Sequence, residues 1–299
     1  MSTIRKPVLS GAWYPADPSE LTALVDGFLA GADPAVLPAG RPLVAVVPHA
    51  GYVYSGPTAG KLFGLLGDDG PRRIVLLAPN HRVRLDHIAL SCSAGFATPL
   101  GTVEVDQDAV RQLAGRAGFA LDDRAHAEEH AVEIQLPLIQ RTWPDALPRI
   151  VPLLVPRLTA EERGEAVAAL QQLAEPDTMF LVSTDFTHFG TSYGYLPFTE
   201  NIPTALEELD SGAILKVLAA DGQGLLDYGQ ATGITMCGLE AAALVLETGL
   251  PEGYEGALVD YTRSGDRDRD YSMSVSYASI LLSTGPTDSG PSRGAGHVQ

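Results

Sequence analysis

Three histidines of this chain each follow a short apolar run. The runs and their histidines are PLVAVVP (42–48) with His49, RRIVLLAP (72–79) with His81, and TMFLVSTD (178–185) with His188. Asp185 lies three residues before His188. Such apolar runs are typical of buried parallel strands, whose carboxyl ends meet at one edge of a sheet and form the usual ligand-binding cleft. We therefore expect three imidazoles and one carboxylate near a single cleft.

A cysteine adds a fourth candidate side chain. Cys237 lies in TGITMCGLE, where a Gly/Thr-rich loop enters a segment with a helical pattern. The positive end of a helix dipole favours a thiolate over a thiol. We therefore expect Cys237 to be either a metal ligand or a nucleophile.

Two kinds of chemistry suit these side chains. Cys237, His188 and Asp185 supply the nucleophile, base and orienting acid of a cysteine hydrolase. That hypothesis leaves His49 and His81 without a role. Two imidazoles with one anionic ligand suit non-haem Fe(II), whereas imidazole with thiolate also suits copper or zinc. The metal hypothesis gives a role to more residues, because the remaining histidine can then act as acid or base.

The elements that must position these residues alternate along the sequence. A further strand is predicted at 149–156, helices at 58–68, 106–118, 130–143, 159–175 and 237–250, and two closing strands at 254–264 and 271–283. This alternation predicts one layered α/β domain over residues 1–283, with a mostly parallel central sheet. The Gly-, Pro- and Ser-rich segment 284–299 is predicted to be a disordered tail.

Composition and charge narrow the class of partner. The 299 residues include 37 acidic and 20 basic side chains, which give a formal net charge of −17. No Lys/Arg cluster is present, so neither nucleic acid nor an anionic membrane is expected as a partner. The sequence has no apolar window of the roughly 18 residues that a membrane span needs, and no signal-peptide pattern. We expect a cytoplasmic protein whose partner is a small-molecule substrate or another protein.

The segment HAEEH (126–130) needs separate consideration, because it matches the H-x-x-E-H pattern of inverted zinc proteases. The pattern is short, and acidic residues crowd it at 122, 123, 128 and 129. Acidic side chains are favoured at the start of a helix by the helix dipole. We interpret the segment as a solvated helix start rather than a protease site.

Six ordered motifs resemble those of the Memo family. They are PHAGYVYSGPTAG (48–60), LAPNH (77–81), EEHAVEIQLP (128–137), STDFTHFG (183–190), MCGLEAA (236–242), and DYTRSGD (260–266) with SMSVSYAS (272–279). The resemblance extends from GAWYPAD (11–17) to about Ser283. Bacterial and archaeal members often accompany an AMMECR1-like protein and a radical SAM protein in the AmmeMemoRadiSam system. The resemblance therefore implies these two proteins as partners.

The resemblance also implies a fold and a set of site residues. The Memo family resembles in fold the class III extradiol (LigB-like) dioxygenases, which are non-haem iron enzymes. The implied residues are His49, His81 and Cys237 as metal ligands, His188 with Asp185 as the catalytic pair, and His130 and Glu133 as residues that support the ligands or line the cleft. Tyr54 is further expected to line the cleft and to accept an aromatic or apolar group.

Three functions are consistent with these expectations. The first is a non-haem metal enzyme, an iron-dependent dioxygenase or redox enzyme that acts on a small aromatic or enolic substrate. A thiolate in place of the carboxylate ligand makes copper and zinc alternatives to Fe(II). The second is a metal-binding or peptide-binding module of the AmmeMemoRadiSam system without turnover. The third is a cysteine-dependent hydrolase.

Overall fold

The computed structural model describes residues 3–38, 40–67 and 69–285. The helices are α1 (Pro18–Leu29), α2 (Tyr52–Phe63), α3 (Gln107–Ala114), α4 (Asp123–Ala127), α5 (His130–Glu133), α6 (Leu136–Thr142), α7 (Ala160–Gln171), α8 (Ile202–Leu218), α9 (Gly222–Thr232), α10 (Leu239–Glu247) and α11 (Ser264–Asp268). The strands are β1 (Ile4–Arg5), β2 (Pro42–Val47), β3 (Arg73–Pro79), β4 (Ile88–Leu90), β5 (Gly95–Thr98), β6 (Gly101–Glu104), β7 (Phe119–Leu121), β8 (Arg149–Val155), β9 (Thr178–Ser183), β10 (His188–Gly190), β11 (Glu255–Arg263) and β12 (Met273–Ser283). Residues 286–299 of the predicted tail lie outside the described residues.

The main sheet has a parallel centre and antiparallel flanks. Strands β2, β9, β3 and β8 lie side by side in that order and run in the same direction. At one flank β12 pairs antiparallel with β2, and at the other β4 pairs antiparallel with β8. The expected parallel sheet is therefore confirmed for the four central strands, whereas the sheet as a whole is mixed. The fold is a single mixed α/β domain.

The four central strands form where the apolar runs predicted them. Every residue of β3 and β9 is buried. A parallel strand that is covered on both faces has no solvent side, so its sequence is apolar without alternation. Helix α10 packs against β3 and β9, and α2 packs against β2 and β12.

Other elements differ from the prediction. The single helix expected at 130–143 is two short helices, α5 and α6, and the one expected from residue 58 begins at Tyr52. A small second sheet, in which β1 pairs with β5 and β5 with β6, was not predicted. Its strands are two to four residues long, too short for a periodic pattern to be recognised in the sequence.

The carboxyl edge of the parallel strands brings the candidate residues together. His49 lies two residues beyond the end of β2, His81 two beyond β3, and Asp185 two beyond β9. His188 begins the short strand β10, which pairs with β12. Cys237 directly precedes Gly238, the residue that caps the amino end of α10. Among the described residues, the helices are all too short or too polar to cross a bilayer.

Candidate metal centre

Three imidazoles converge at this edge. His49, His81 and His130 each offer one ligand atom, and these atoms all lie within 4.8 Å of one another. The ring centroids are 5.2 Å apart for His49 and His81, 5.3 Å for His49 and His130, and 4.5 Å for His81 and His130. These three side chains could hold a metal ion.

His49 is held so that one ring nitrogen keeps its lone pair. Its Nδ1 lies 3.2 Å from Ser183 Oγ, and Ser183 Oγ itself donates to the carbonyl of Ala131 at 2.6 Å. We therefore assign the ring proton to Nδ1, since Ser183 can only accept there, and the lone pair to Nε2. Burial and the neighbouring His81 lower the pKa of His49 to about 3, so the ring is neutral at pH 7. A neutral imidazole whose Nε2 lone pair faces the Cys237 sulfur is a suitable metal ligand beside that thiol.

His81 is oriented by a carboxylate. Glu129 accepts from His81 Nδ1 at 3.0 Å and from the His81 backbone N–H at 2.6 Å. Burial alone would raise the pKa of Glu129, but the hydrogen bond from His81 and the surrounding imidazoles lower it to about 2. The ionised carboxylate therefore keeps the proton on Nδ1 and leaves His81 Nε2 free, as in the carboxylate–histidine pairs of metal sites.

His130 has a buried nitrogen without a hydrogen-bond partner. Its Nδ1 lies 3.2 Å from Glu129 Oε1, but the geometry does not make a hydrogen bond. Burial and the charge that His49 can carry lower the pKa of His130 to about 3, so this ring is also neutral. Trp13 packs on it with ring centroids 4.7 Å apart. An unsatisfied buried nitrogen is costly, and a bound cation would satisfy it.

Cys237 lies next to this cluster. Its Sγ is 3.2 Å from His49 Nε2 and accepts the backbone N–H of Asp185 at 3.3 Å. Burial, reinforced by the Asp185 carboxylate, raises the pKa of the thiol to about 12. Burial therefore outweighs the helix-dipole effect expected from the sequence. A raised thiol pKa opposes the thiolate that a cysteine hydrolase needs as its nucleophile.

His188 and Asp185 form the second part of the site. The ring proton of His188 is assigned to Nδ1, because Nδ1 lies 3.0 Å from two acceptors, the carbonyls of Phe186 and Thr235. Nε2 therefore keeps its lone pair. Asp185 Oδ1 accepts the backbone N–H of His49 at 2.7 Å, and burial raises the pKa of Asp185. A histidine in this state can accept a proton from a substrate.

Two further candidates lie outside the cluster. The Glu133 carboxylate accepts from Tyr14 Oη at 2.5 Å and from the backbone N–H groups of Val8 and Leu9, and it also pairs with Arg5. Glu133 therefore anchors the N-terminal segment. The Tyr54 side chain is half exposed, and the guanidinium carbon of Arg267 lies 5.8 Å from the centre of its ring.

The segment HAEEH has a different structure from the one expected. Glu129 is buried, only 1% exposed, so its interpretation as part of a solvated helix start was wrong. Its backbone is extended and separates α4 from α5, so His126 and His130 are not on one helix. His126 instead donates from Nε2 to the carbonyl of Ala89 at 3.0 Å. The zinc-protease arrangement, which needs both histidines on one helical face, is therefore not formed.

Two residues that orient the imidazoles, Ser183 and Glu129, were not predicted from the sequence. Ser183 ends a buried strand and was hidden by its apolar neighbours, although its place two residues before Asp185 is a usable signal. Glu129 was visible as an acid next to a motif histidine. Only the extended backbone at Glu129 turns its carboxylate inward toward His81.

The cluster fits a transition-metal ion once its rings move closer together. Zinc–nitrogen bonds are roughly 2.0–2.1 Å long, so two nitrogens on one tetrahedral ion lie about 3.4 Å apart. The three ligand atoms lie within 4.8 Å of one another, so the side chains must shift inward to share one ion. Imidazole nitrogens, two with assigned lone pairs and one without a hydrogen-bond partner, are appropriate donors for such an ion.

A large cavity adjoins the cluster. Its volume is about 930 Å³. Its lining includes Asn80, Thr235, Cys237 and the apolar side chains of Leu158, Leu226 and Leu239. It reaches the imidazoles through Cys237, which contacts His49, and through Asn80, the residue before His81. A cavity of this size and mixed character can bind a small organic molecule.

Comparisons with known proteins agree with the motifs. A sequence model of the Memo-like protein family matches residues 5–281. A MEMO1 family protein of Methanopyrus kandleri is 33% identical over 298 residues, which cover 94% of this chain and 99% of that protein. MEMO1 family proteins of Thermococcus onnurineus and Thermococcus kodakarensis are 35% and 34% identical, over 93% of this chain and 99% of each relative. The chain therefore belongs to the Memo family.

Proposed function

We propose that this protein is a non-haem metal-dependent oxidoreductase that acts on a small aromatic or enolic substrate. The observation that supports this best is the convergence of His49, His81 and His130, with ligand atoms within 4.8 Å of one another beside Cys237. Imidazole suits iron, copper and zinc, and a thiolate shifts the preference toward copper or zinc. Fe(II) is our first choice of metal because the family resembles the LigB-like dioxygenases.

Two sets of three metal ligands are possible, and His49 and His81 belong to both. The family resemblance implies Cys237 as the third ligand, whereas the distances place His130 with the other two imidazoles. We propose that Cys237 is the third ligand and His130 an additional one. A bound cation favours the thiolate, which offsets the effect of burial on the pKa of Cys237.

The remaining residues supply proton transfer. A metal held here would provide Lewis acidity and, if it is iron or copper, one-electron exchange. His188 accepts the proton of a substrate hydroxyl at Nε2, because its Nδ1–H is held by the carbonyls of Phe186 and Thr235. The buried Asp185 carboxylate attracts the positive charge that forms on His188, and so stabilises it.

The adjoining cavity supports a small-molecule substrate. Its apolar wall, which includes Leu158, Leu226 and Leu239, can bury an aromatic or enolic body. Tyr54, half exposed and stacked under Arg267, is proposed to contact the substrate at the rim of the cleft.

The proposal is tested by anaerobic loading with Fe(II) and measurement of O₂ uptake against a panel of catechols and enols. We expect His188→Ala to lower turnover by about 10²–10⁴-fold while the metal content stays the same, because it removes a general base and no ligand. The matched control is His87→Ala. His87 pairs with Asp86 at 2.8 Å away from the cluster, and its loss should change neither quantity.

Each other outcome has a defined meaning. Stoichiometric metal without O₂ uptake across the panel would favour the module without turnover. Failure of the wild-type protein to bind iron, copper or zinc would contradict the metal centre, and fast alkylation of Cys237 would then favour the cysteine hydrolase. Comparison of Cys237→Ser with His130→Ala identifies the third ligand, since its loss should lower metal affinity more.

We also propose the AMMECR1-like and radical SAM proteins as partners and the cytoplasm as the location. Family membership supports the partners, and the acidic composition supports a non-membrane setting. Co-purification from a strain in which all three proteins are expressed at native levels tests the first proposal. Cell fractionation tests the second.

A further inference from the structure

A buried arginine near the N-terminus reaches the segment that supplies the metal-site carboxylate. Arg5 lies on β1, and its side chain is 5% exposed. We propose that Arg5 is a positioning residue for the metal centre, which acts through Glu129 on the orientation of His81. This inference rests on the proposed metal-binding function of His81.

The Arg5 guanidinium contacts three acceptors, one on α4, one on α5 and one in the link between the two helices. Nε donates to the carbonyl of His126 at 3.1 Å, Nη2 donates to the carbonyl of Glu129 at 2.8 Å, and Nη1 pairs with the Glu133 carboxylate. The three bonds hold residues 126, 129 and 133 at fixed distances from one planar group. The segment cannot rotate at Glu129 without breaking one of them.

Glu129 transmits this constraint to the site. Its backbone carbonyl faces Arg5, while its carboxylate accepts from His81 Nδ1 and from the backbone N–H groups of His81, His130 and Ala131. The extended backbone at Glu129 is what allows the carbonyl and the carboxylate to face these different partners. Arg5 therefore stabilises the backbone conformation on which the His81 hydrogen bond depends.

Arg5 is itself fixed by the small sheet. β1 pairs in parallel with β5, and Arg5 lies in register with Phe96, whose ring its guanidinium covers at 5.5 Å. The Glu133 carboxylate adds the backbone N–H groups of Val8 and Leu9 to the same network. The small sheet thus has a role beyond packing, because it places the guanidinium opposite the α4–α5 segment.

The chain contains a suitable control for a loss of stability alone. Arg73 is buried to a similar degree, and its Nε donates to Asp106 at 2.8 Å at the amino end of β3, the opposite end of that strand from His81. Tyr14 provides a second control. Its hydroxyl donates to Glu133, but it does not take part in the bonds from Arg5 to the carbonyls of His126 and Glu129.

The experiment measures two quantities for each variant. The ¹⁵N shifts of the His81 ring in metal-free protein report the Nδ1–H tautomer, and Zn(II) titration reports metal affinity. Arg5→Met should lose the single-tautomer signature of His81 and weaken Zn(II) binding by about 10–100-fold, the usual effect of losing a group that orients a ligand. Arg73→Met and Tyr14→Phe should leave both quantities at wild-type values.

Arg5→Lys keeps the inference testable if Arg5→Met does not fold. It keeps a cation for Glu133, but one ammonium cannot reach three acceptors arranged for a planar fork. We expect this variant to fold and to show the same loss of the His81 signature. A folded Arg5→Lys or Arg5→Met protein with an unchanged His81 tautomer and unchanged Zn(II) affinity would overturn the inference, as would equal effects from Arg73→Met. The tautomer measurement uses no metal, so it tests the role of Arg5 even if the metal proposal fails.

Discussion

The two ends of the parallel strands differ in how their polar side chains are satisfied. At the amino end, Arg73 on β3 donates to Asp106 and lies 3.3 Å from Glu175, while Arg149 on β8 lies 4.0 Å from Asp106. Arg72 pairs with the same Glu175 at 3.2 Å. Every one of these charges has a partner within the chain.

The carboxyl end of the same strands has unused hydrogen-bonding capacity. The rings of His49 and His130 are neutral because burial lowers their pKa values, and His130 Nδ1 has no hydrogen-bond partner. Two carboxylates, Asp185 and Glu129, orient backbone and ring N–H groups there. The charges at the amino end are therefore paired without a ligand, whereas the carboxyl end holds three ligand atoms within 4.8 Å of one another.

The two ends of strand β3 therefore have different roles: the amino end contributes to stability and the carboxyl end to ligand binding. Charges that pair with each other contribute to folding and have no capacity left for a ligand. Neutral donors held close together contribute little to folding and can bind a cation. Substitutions at the two ends should therefore change different measured quantities.

The largest expected effect is on stability, at the amino end. Asp106→Ala leaves the buried Arg73 without its closest partner and should lower the free energy of unfolding by about 3–5 kcal/mol. Denaturant unfolding measures this loss. Zn(II) affinity should stay at the wild-type value, and a large change in it would mean that the two ends are not independent.

The next effect is on metal affinity, at the carboxyl end. His81→Ala removes a proposed ligand and should weaken metal binding by more than about 100-fold, the upper limit for losing only an orienting group. The side chain is 30% exposed, so the free energy of unfolding without metal should change little. Metal titration followed by denaturant unfolding checks both quantities. Unchanged affinity would remove His81 from the ligand set.

A smaller effect is expected where Ser183 supports His49. Ser183→Ala removes the acceptor of His49 Nδ1–H and should weaken metal binding by about 10-fold. The matched control is Ser91→Ala, which removes another buried hydroxyl, one that donates to Asp123 at 2.7 Å. The comparison fails if both variants lower the affinity equally, because the effect would then reflect stability alone.

A further effect, spread over a range of pH, is a pH dependence of stability in the metal-free protein. Burial lowers the pKa of His126 from about 6.5 to about 4, so protonation favours the unfolded chain. Its contribution is complete above pH 6.5 and is lost as the pH falls toward 4, by about 1.4 kcal/mol per pH unit. Burial alone would raise the pKa of Asp106, but the hydrogen bond from Arg73 lowers it. The Arg73–Asp106 ion pair therefore weakens only below pH 3.8. His126→Gln should remove this share of the slope between pH 4 and 6.5, while His49 and His130, whose pKa values are lowered to about 3, keep theirs. An unchanged slope would contradict the assignment.

Much of the candidate site could be predicted from local patterns. The four apolar runs became β2, β3, β8 and β9 within two residues of the expected bounds, because strands buried on both faces have a distinctive composition. The parallel direction of these strands then placed the residues that follow them at one edge. His49, His81 and Asp185 lie there for this reason.

The sequence by itself thus determined the strands, the edge at which the histidines meet, and membership of the Memo family. The tertiary structure decided which groups share the cluster. His130 joins His49 and His81 because the backbone is extended at Glu129, and Cys237 keeps a high thiol pKa because it is buried. The contacts of Arg5 join residues more than 120 positions apart, and no local pattern encodes such a pairing. Periodicity depends on neighbours in sequence, whereas tautomers, pKa values and long-range hydrogen bonds depend on neighbours in space.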